Sequence, residues 1–182
     1  MFLHKKFLEQ YETRNRISLR DSSRVLFESI QDNDMYDIFI SYSSKDILYA
    51  KKAAEFLRDN GFSVYIDDED SVLDKKNVNS KTTVRLARIL ENCRCLIFLF
   101  TENSSASSWC PWEIGYMSAY NDFKCVTLPI VDEPFLNYIE HKEYLLNYPQ
   151  LQFTKNIDGN YHFMLKSASK QKWITLIDYI LD

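Results

Sequence analysis

The feature that most constrains this chain is an alternation of two periods. Short apolar runs (Asp37-Ile-Phe-Ile-Ser41, Phe62-Ser-Val-Tyr-Ile66, Cys95-Leu-Ile-Phe-Leu-Phe100 and Lys124-Cys-Val-Thr-Leu-Pro-Ile130) are separated by stretches of helical length. Over 45–60, Ile47, Ala50, Ala53, Ala54 and Leu57 share one stripe, and Gly61 follows as a natural helix-terminating residue. Further helices are predicted over about 81–92 and 109–121. Residues 134–147 read as partly helical, Leu151–Phe153 as an edge strand, and Trp173, Leu176, Ile177 and Ile180 as a closing amphipathic helix. Short apolar strands joined by helices specify a parallel sheet covered on both faces. Right-handed crossovers then gather the strand C-termini at one edge, where such folds bind ligands.

Residues 1–34 read as a separate helical N-terminal extension, with the main domain over 35–182. Phe2, Leu3, Phe7 and Tyr11 have roughly helical spacing. Val25, Leu26, Phe27 and Ile30 follow the capping residues Asp21 and Ser22, and Gln31-Asp-Asn-Asp34 is a plausible hinge. A length of 182 residues suits one domain with a small appendage.

Composition excludes several classes. A net charge of −4 argues against general nucleic-acid binding, since Lys75, Lys76 and Lys81 do not make a basic face. The 4 cysteines show no zinc or disulfide spacing and suit a reducing, cytoplasmic setting. The first 20 residues lack the apolar core of a signal peptide, and no apolar run approaches membrane-spanning length. There is no G-x-G-x-x-G and no P-loop, so a glycine-cradled nucleotide site is excluded. A phosphoacceptor regulator would need an Asp ending the central strand, where Phe100-Thr101 stands instead.

Two clusters fall at the ligand-binding edge. The first, Ser41-Tyr42-Ser43-Ser44, closes the first strand. Its hydroxyls and ring can face a ligand, or Ser43 and Asp46 can form a capping box and Ser44 a cap. The second, Ser104-Ser-Ala-Ser-Ser108-Trp109-Cys110-Pro111-Trp112-Glu113, follows the strongest strand and opens a helix. Pro111 fits only a first turn, which places Glu113 near the helix start and on the face of Trp109. There Glu113 either neutralises the helix terminus or serves as a fixed carboxylate.

These clusters resemble the signature boxes of the TIR family. Tyr36-Asp37-Ile-Phe-Ile-Ser41-Tyr42-Ser43 is similar to its opening box, and Ser107-Ser108-Trp109-Cys110-Pro111-Trp112-Glu113 to its S-x-W-C-x-x-E box. Gly61-Phe-Ser-Val-Tyr-Ile-Asp67 resembles its second strand and the start of the long loop that follows. The loop over 68–79 lacks the Pro-Gly often present there. The resemblance covers roughly 35–181 and implies a flavodoxin-like five-stranded parallel sheet, order 2-1-3-4-5, with helices on both faces.

The family contains adaptors that signal through TIR–TIR assembly and enzymes that cleave the nicotinamide–ribose bond of NAD+. The enzymes yield nicotinamide with ADP-ribose or a cyclic isomer, often in bacterial antiphage defence. By resemblance, Glu113 is the catalytic residue, Trp109 the tryptophan that precedes it in many bacterial members, and Ser41, Tyr42 and Ser43 the rim that binds the nicotinamide side. NAD+ is then a substrate, with no cofactor or metal. Expected partners are other copies of the domain and an effector downstream of the nucleotide product. A non-enzymatic assembly module is the alternative. An enzyme should set Glu113 and an aromatic ring in one open cleft.

Overall fold

A computed structural model describes residues 3–11, 34–73, 79–104, 107–130, 143–166 and 173–182. Its helices are α1 (Lys5–Gln10), α2 (Ile47–Arg58), α3 (Ser80–Glu91), α4 (Trp109–Tyr120) and α5 (Leu176–Leu181). Its strands are β1 (Tyr36–Ser41), β2 (Val64–Tyr65), β3 (Cys93–Phe100), β4 (Cys125–Pro129), β5 (Gln150–Lys155), β6 (Tyr161–Lys166) and β7 (Trp173–Thr175). They form one sheet in the order β2-β1-β3-β4-β5-β6-β7. The first five pair in parallel, which gives the expected 2-1-3-4-5 order, and the last two add antiparallel.

The apolar strands are double-faced because both sides of the sheet are covered. In β1, Ile38 and Ile40 enter one core with α1, α2 and α5, whereas Phe39 enters a second core with α3 and α4. In β3, Cys95, Ile97 and Leu99 face the first core, and Leu96, Phe98 and Phe100 the second. This two-residue alternation between two buried faces explains why the run carries no polar positions.

Local chemistry sets the ends of the helices. Gly61, at φ +94°, ends α2. Its N–H reaches the Arg58 carbonyl at 3.0 Å, and the Phe62 N–H reaches that of Leu57 at 3.3 Å. Asn79 caps α3 by accepting from the Lys81 and Thr82 amides at 2.9 and 3.3 Å.

The C-terminal third departs from expectation. Leu151–Phe153 lies within β5, which is not an edge: β6 continues the sheet beyond it. Phe163 and Leu165 of β6 are buried while His162 and Lys166 are exposed, a period-two signal present in the sequence. Trp173 opens a strand rather than a helix, and α5 begins only after Thr175, whose Oγ1 accepts from the Asp178 amide at 3.1 Å. The aromatic and β-branched trio Trp173-Ile174-Thr175 favours extended backbone.

The N-terminal residues 3–11 share the main core. Leu3 bridges Ile130 beside the end of β4. Phe7 and Tyr11 pack on Phe56 at ring distances of 5.3 and 5.0 Å. The second predicted N-terminal helix, most of the hinge, Lys75 and Lys76, and residues 134–142 lie outside the described residues. Among the described residues no helix is long and apolar enough to cross a membrane.

Candidate functional site

At the C-terminal edge of the parallel strands lies a cleft of about 320 Å³, lined among others by Tyr42, Ser44, Asp67, Asp68, Trp109 and Glu113. That volume is within the range of small-molecule sites. Ile47, Leu73, Thr82, Leu86 and Ser107 complete the lining. The cleft therefore combines a floor of carboxylate, hydroxyls and aromatic rings with an apolar side made by α3 and the loop before it.

Glu113 stands on the second turn of α4, five residues in, with Pro111 inside the first turn. The helix-terminus field fades within one turn. What grips this carboxylate is instead a side chain from another element. Ser41, the last residue of β1, donates its Oγ–H to Oε2 at 2.5 Å. Ser41 is 1% exposed and Glu113 6%, so the pair is nearly dry while the carboxylate still borders the cleft.

The helix start is arranged unusually. Ser108 makes no side-chain cap, and Ser107 Oγ instead accepts from the Cys110 amide at 3.3 Å. Cys110 is buried behind the cleft, and burial together with the neighbouring Glu113 pushes its thiol up to about 11. It stays a neutral thiol at physiological pH.

Of the residues singled out from sequence, Tyr42, Trp109 and Glu113 meet in the cleft. Ser41 lies just behind, bonded to Glu113. Ser43 is not brought to the cleft lining: it is buried, makes no side-chain cap, and its carbonyl accepts from the Asp46 amide at 2.7 Å. Ser44 does reach the lining. The Tyr42 hydroxyl is held protonated far above the usual tyrosine range by burial and by the adjoining Asp67, to which it hydrogen-bonds. Trp109 packs edge-on against Trp112 at 5.5 Å, which fixes its ring plane beside Glu113.

A network that no local sequence signal announces supports the floor. Asp46, 2% exposed, accepts from Thr101 Oγ1 at 2.5 Å and from Asn103 Nδ2 at 2.8 Å. Thr101 and Ser104 lock one another in turn: each amide donates to the other's hydroxyl oxygen at 3.1 Å. The start of α2 is thus fastened to the loop that leads into α4. The available signal was an Asp following β1 together with a Thr following β3, and nothing local couples them.

No group of metal-ligating side chains occurs among the described residues. A family model described as "TIR domain" matches residues 38–161. A Bacillus cereus (strain MSX-D12) protein named "Probable 3' cyclic ADP-D-ribose synthase ThsB'" is 29% identical over 178 residues, spanning 97% of this chain and 92% of that protein. A Cytobacillus dafuensis protein named "Putative cyclic ADP-D-ribose synthase TIR2" is 30% identical over 95 residues, 51% of this chain and 25% of its own length. Among solved structures, the TIR domain of the Toll-related receptor TRR-2 of Hydra magnipapillata aligns at TM-score 0.43 and 16% identity, over 59% of this chain and 81% of that one.

Proposed function

The chain belongs to the TIR-domain family, and from that premise we propose that it cleaves the nicotinamide–ribose bond of NAD+, releasing nicotinamide with ADP-ribose or a cyclic isomer. The observation that carries this reading is the Ser41–Glu113 pair beside Tyr42 and Trp109 in one cleft. The names of the two bacterial relatives, one a "Probable 3' cyclic ADP-D-ribose synthase" and the other a "Putative cyclic ADP-D-ribose synthase", support the same chemistry and favour a cyclic product.

The C–N bond breaks with its electron pair moving onto the pyridinium nitrogen, so nicotinamide leaves neutral and no acid is required. Positive charge develops on the ribose ring, and Glu113, as a carboxylate, stabilises it. A single carboxylate suffices, unlike the pair used by ordinary glycoside hydrolases. Ser41 holds Glu113 in place, so little reorganisation accompanies the charge build-up. Tyr42 and Trp109 flank the departing ring. The cation is then captured at C1′ by water, giving ADP-ribose, or by a hydroxyl within the same nucleotide, giving a cyclic isomer, and in either case the nucleophile's proton passes to solvent. Exclusion of water by the cleft wall favours the second route. Copies of the domain assemble through their TIR surfaces, and the nucleotide product passes to an effector in antiphage defence.

The test is product analysis of concentrated protein incubated with NAD+, alongside Glu113→Gln. Nicotinamide released by the parent and not by the variant is the expected result, and the accompanying nucleotide peak identifies a linear or cyclic product. Equal release from both removes Glu113 from the chemistry. No release by the parent at any concentration points to an assembly module or to an enzyme that awaits its trigger.

A further inference from the structure

The acidic run Asp67-Asp68-Glu69-Asp70 follows β2 and forms one wall of the cleft, with Asp67, Asp68 and Leu73 in the lining. Several of these acids are tied to cations on the flanking helices. Lys51 of α2 meets Asp68 at 2.6 Å, and Arg58 of α2 grips Glu69 through both nitrogens at 3.2 and 2.7 Å. The third tie differs in burial and in direction.

Asp70 has a side chain with 0% exposure, and Arg85 of α3 approaches it with a fork, Nε to Oδ2 at 2.9 Å and Nη2 to Oδ1 at 3.0 Å. The Tyr65 hydroxyl donates to Oδ2 at 3.0 Å, and the Val72 amide to Oδ1 at 3.0 Å. Tyr65 is itself 1% exposed and stacks on Phe39 of the central sheet at 5.3 Å. One carboxylate thus joins β2, the turn at Val72 and α3. A buried ion pair persists only when its remaining hydrogen-bonding capacity is filled, as it is here.

Arg85 sits on the helix whose Thr82 and Leu86, three residues before it and one after, line the cleft opposite Glu113. The tie therefore joins two segments that enclose the ligand, and neither Asp70 nor Arg85 is itself in the cleft lining. We infer that Asp70 and Arg85 are positioning residues: a buried clamp that holds the 67–73 wall against α3 and so sets how tightly the cleft encloses the nicotinamide end of NAD+. This rests on the preceding reading for its substrate and on the geometry alone for the clamp.

The clamp acts on enclosure rather than on bond breaking, so its loss raises KM while kcat holds. A merely structural role would lower the folded fraction, which scales kcat and leaves KM where it was. The series Tyr65→Phe, Arg85→Lys and Arg85→Gln grades the damage, since lysine keeps the charge and loses the fork. The expected result is a KM increase of about tenfold or more for Arg85→Gln, which takes both charged hydrogen bonds of the fork from Asp70, with kcat within about twofold. Arg85→Lys and Tyr65→Phe fall between it and the parent. Hydrogen exchange on the same proteins supplies a readout independent of activity. Amides over 67–73 should exchange faster in Arg85→Gln while β3 and α4 keep their protection.

An unmoved KM in a variant that retains native protection elsewhere overturns the clamp. So does exchange that accelerates throughout the chain in all three variants, or nowhere in any of them. If the parent releases no nicotinamide, the NAD+ reading fails, and selective exchange over 67–73 still decides for or against the clamp.

Discussion

The floor and the wall of the cleft are built by different means. The floor is secondary structure: Ser41 ends a central strand, Glu113 rides a packed helix, and a 2.5 Å hydrogen bond joins them in a nearly dry setting. The wall is a loop with a two-residue strand before it, held by side-chain ion pairs to α2 and α3. Packing and main-chain hydrogen bonds are insensitive to salt, whereas the wall's ties range from the exposed, screened Lys51–Asp68 pair to the buried Arg85–Asp70 pair. The group proposed to act on the substrate is therefore placed by packed elements, and the enclosure around it depends on a few side-chain ties, chiefly the buried one at Asp70. That division suits a reaction whose product depends on how well water is kept out.

The comparison predicts a descending series of effects. Glu113→Gln on the floor should be the largest, cutting nicotinamide release by about 10³-fold, near 4 kcal/mol of transition-state stabilisation. Steady-state rates check it, and a variant within tenfold of the parent would break the distinction between floor and wall.

Away from the cleft, Phe56→Ala should destabilise the fold by about 3–5 kcal/mol. Phe56 is 2% exposed and packs on Phe7, Tyr11 and Tyr161 at ring distances of 5.3, 5.0 and 4.8 Å. Urea denaturation measures the loss, and KM at permissive temperature should be unchanged, which calibrates KM as a readout of the wall alone.

Ser41→Ala comes next. It removes the hydrogen bond that Ser41 donates to the Glu113 carboxylate, and should lower kcat by roughly 10- to 100-fold, about 1.5–3 kcal/mol. Ser41→Thr, which keeps the hydroxyl, should recover part of the loss, and no recovery would point to packing instead. The smallest effect belongs to Lys51→Ala. Its pair with Asp68 has side-chain exposures of 46% and 36%, so the cost is within about 1 kcal/mol and fades with salt. A tenfold KM change there would show that the wall relies on its surface pairs as much as on Asp70.

The sequence was most legible where structure is local. Apolar alternation located the strands from β1 to β4, Gly61 marked the end of α2, and Pro111 fixed the first turn of α4. It was least legible past residue 150, where the strand expected at Leu151–Phe153 is not an edge but pairs with β6, and a three-residue strand takes Trp173 out of the expected closing helix. Short β segments carry weak periodic signals, and what makes them strands is the neighbour that supplies their hydrogen bonds.

At the site the division is sharper. Residue types and spacing alone put Trp109 and Glu113 on one helix face and Ser41 and Tyr42 at a strand end. Nothing in the sequence joins Ser41 to Glu113, 72 residues away, or Asp46 to Thr101, 55 away. Nor does it say which cation each acid of the 67–70 run will meet. Periodicity, caps and turn chemistry act within a few residues, so the chain determines them by itself. The partners of a buried carboxylate are chosen by sheet order and helix packing, because only the assembled fold removes water from both groups and leaves each the other's best hydrogen bond.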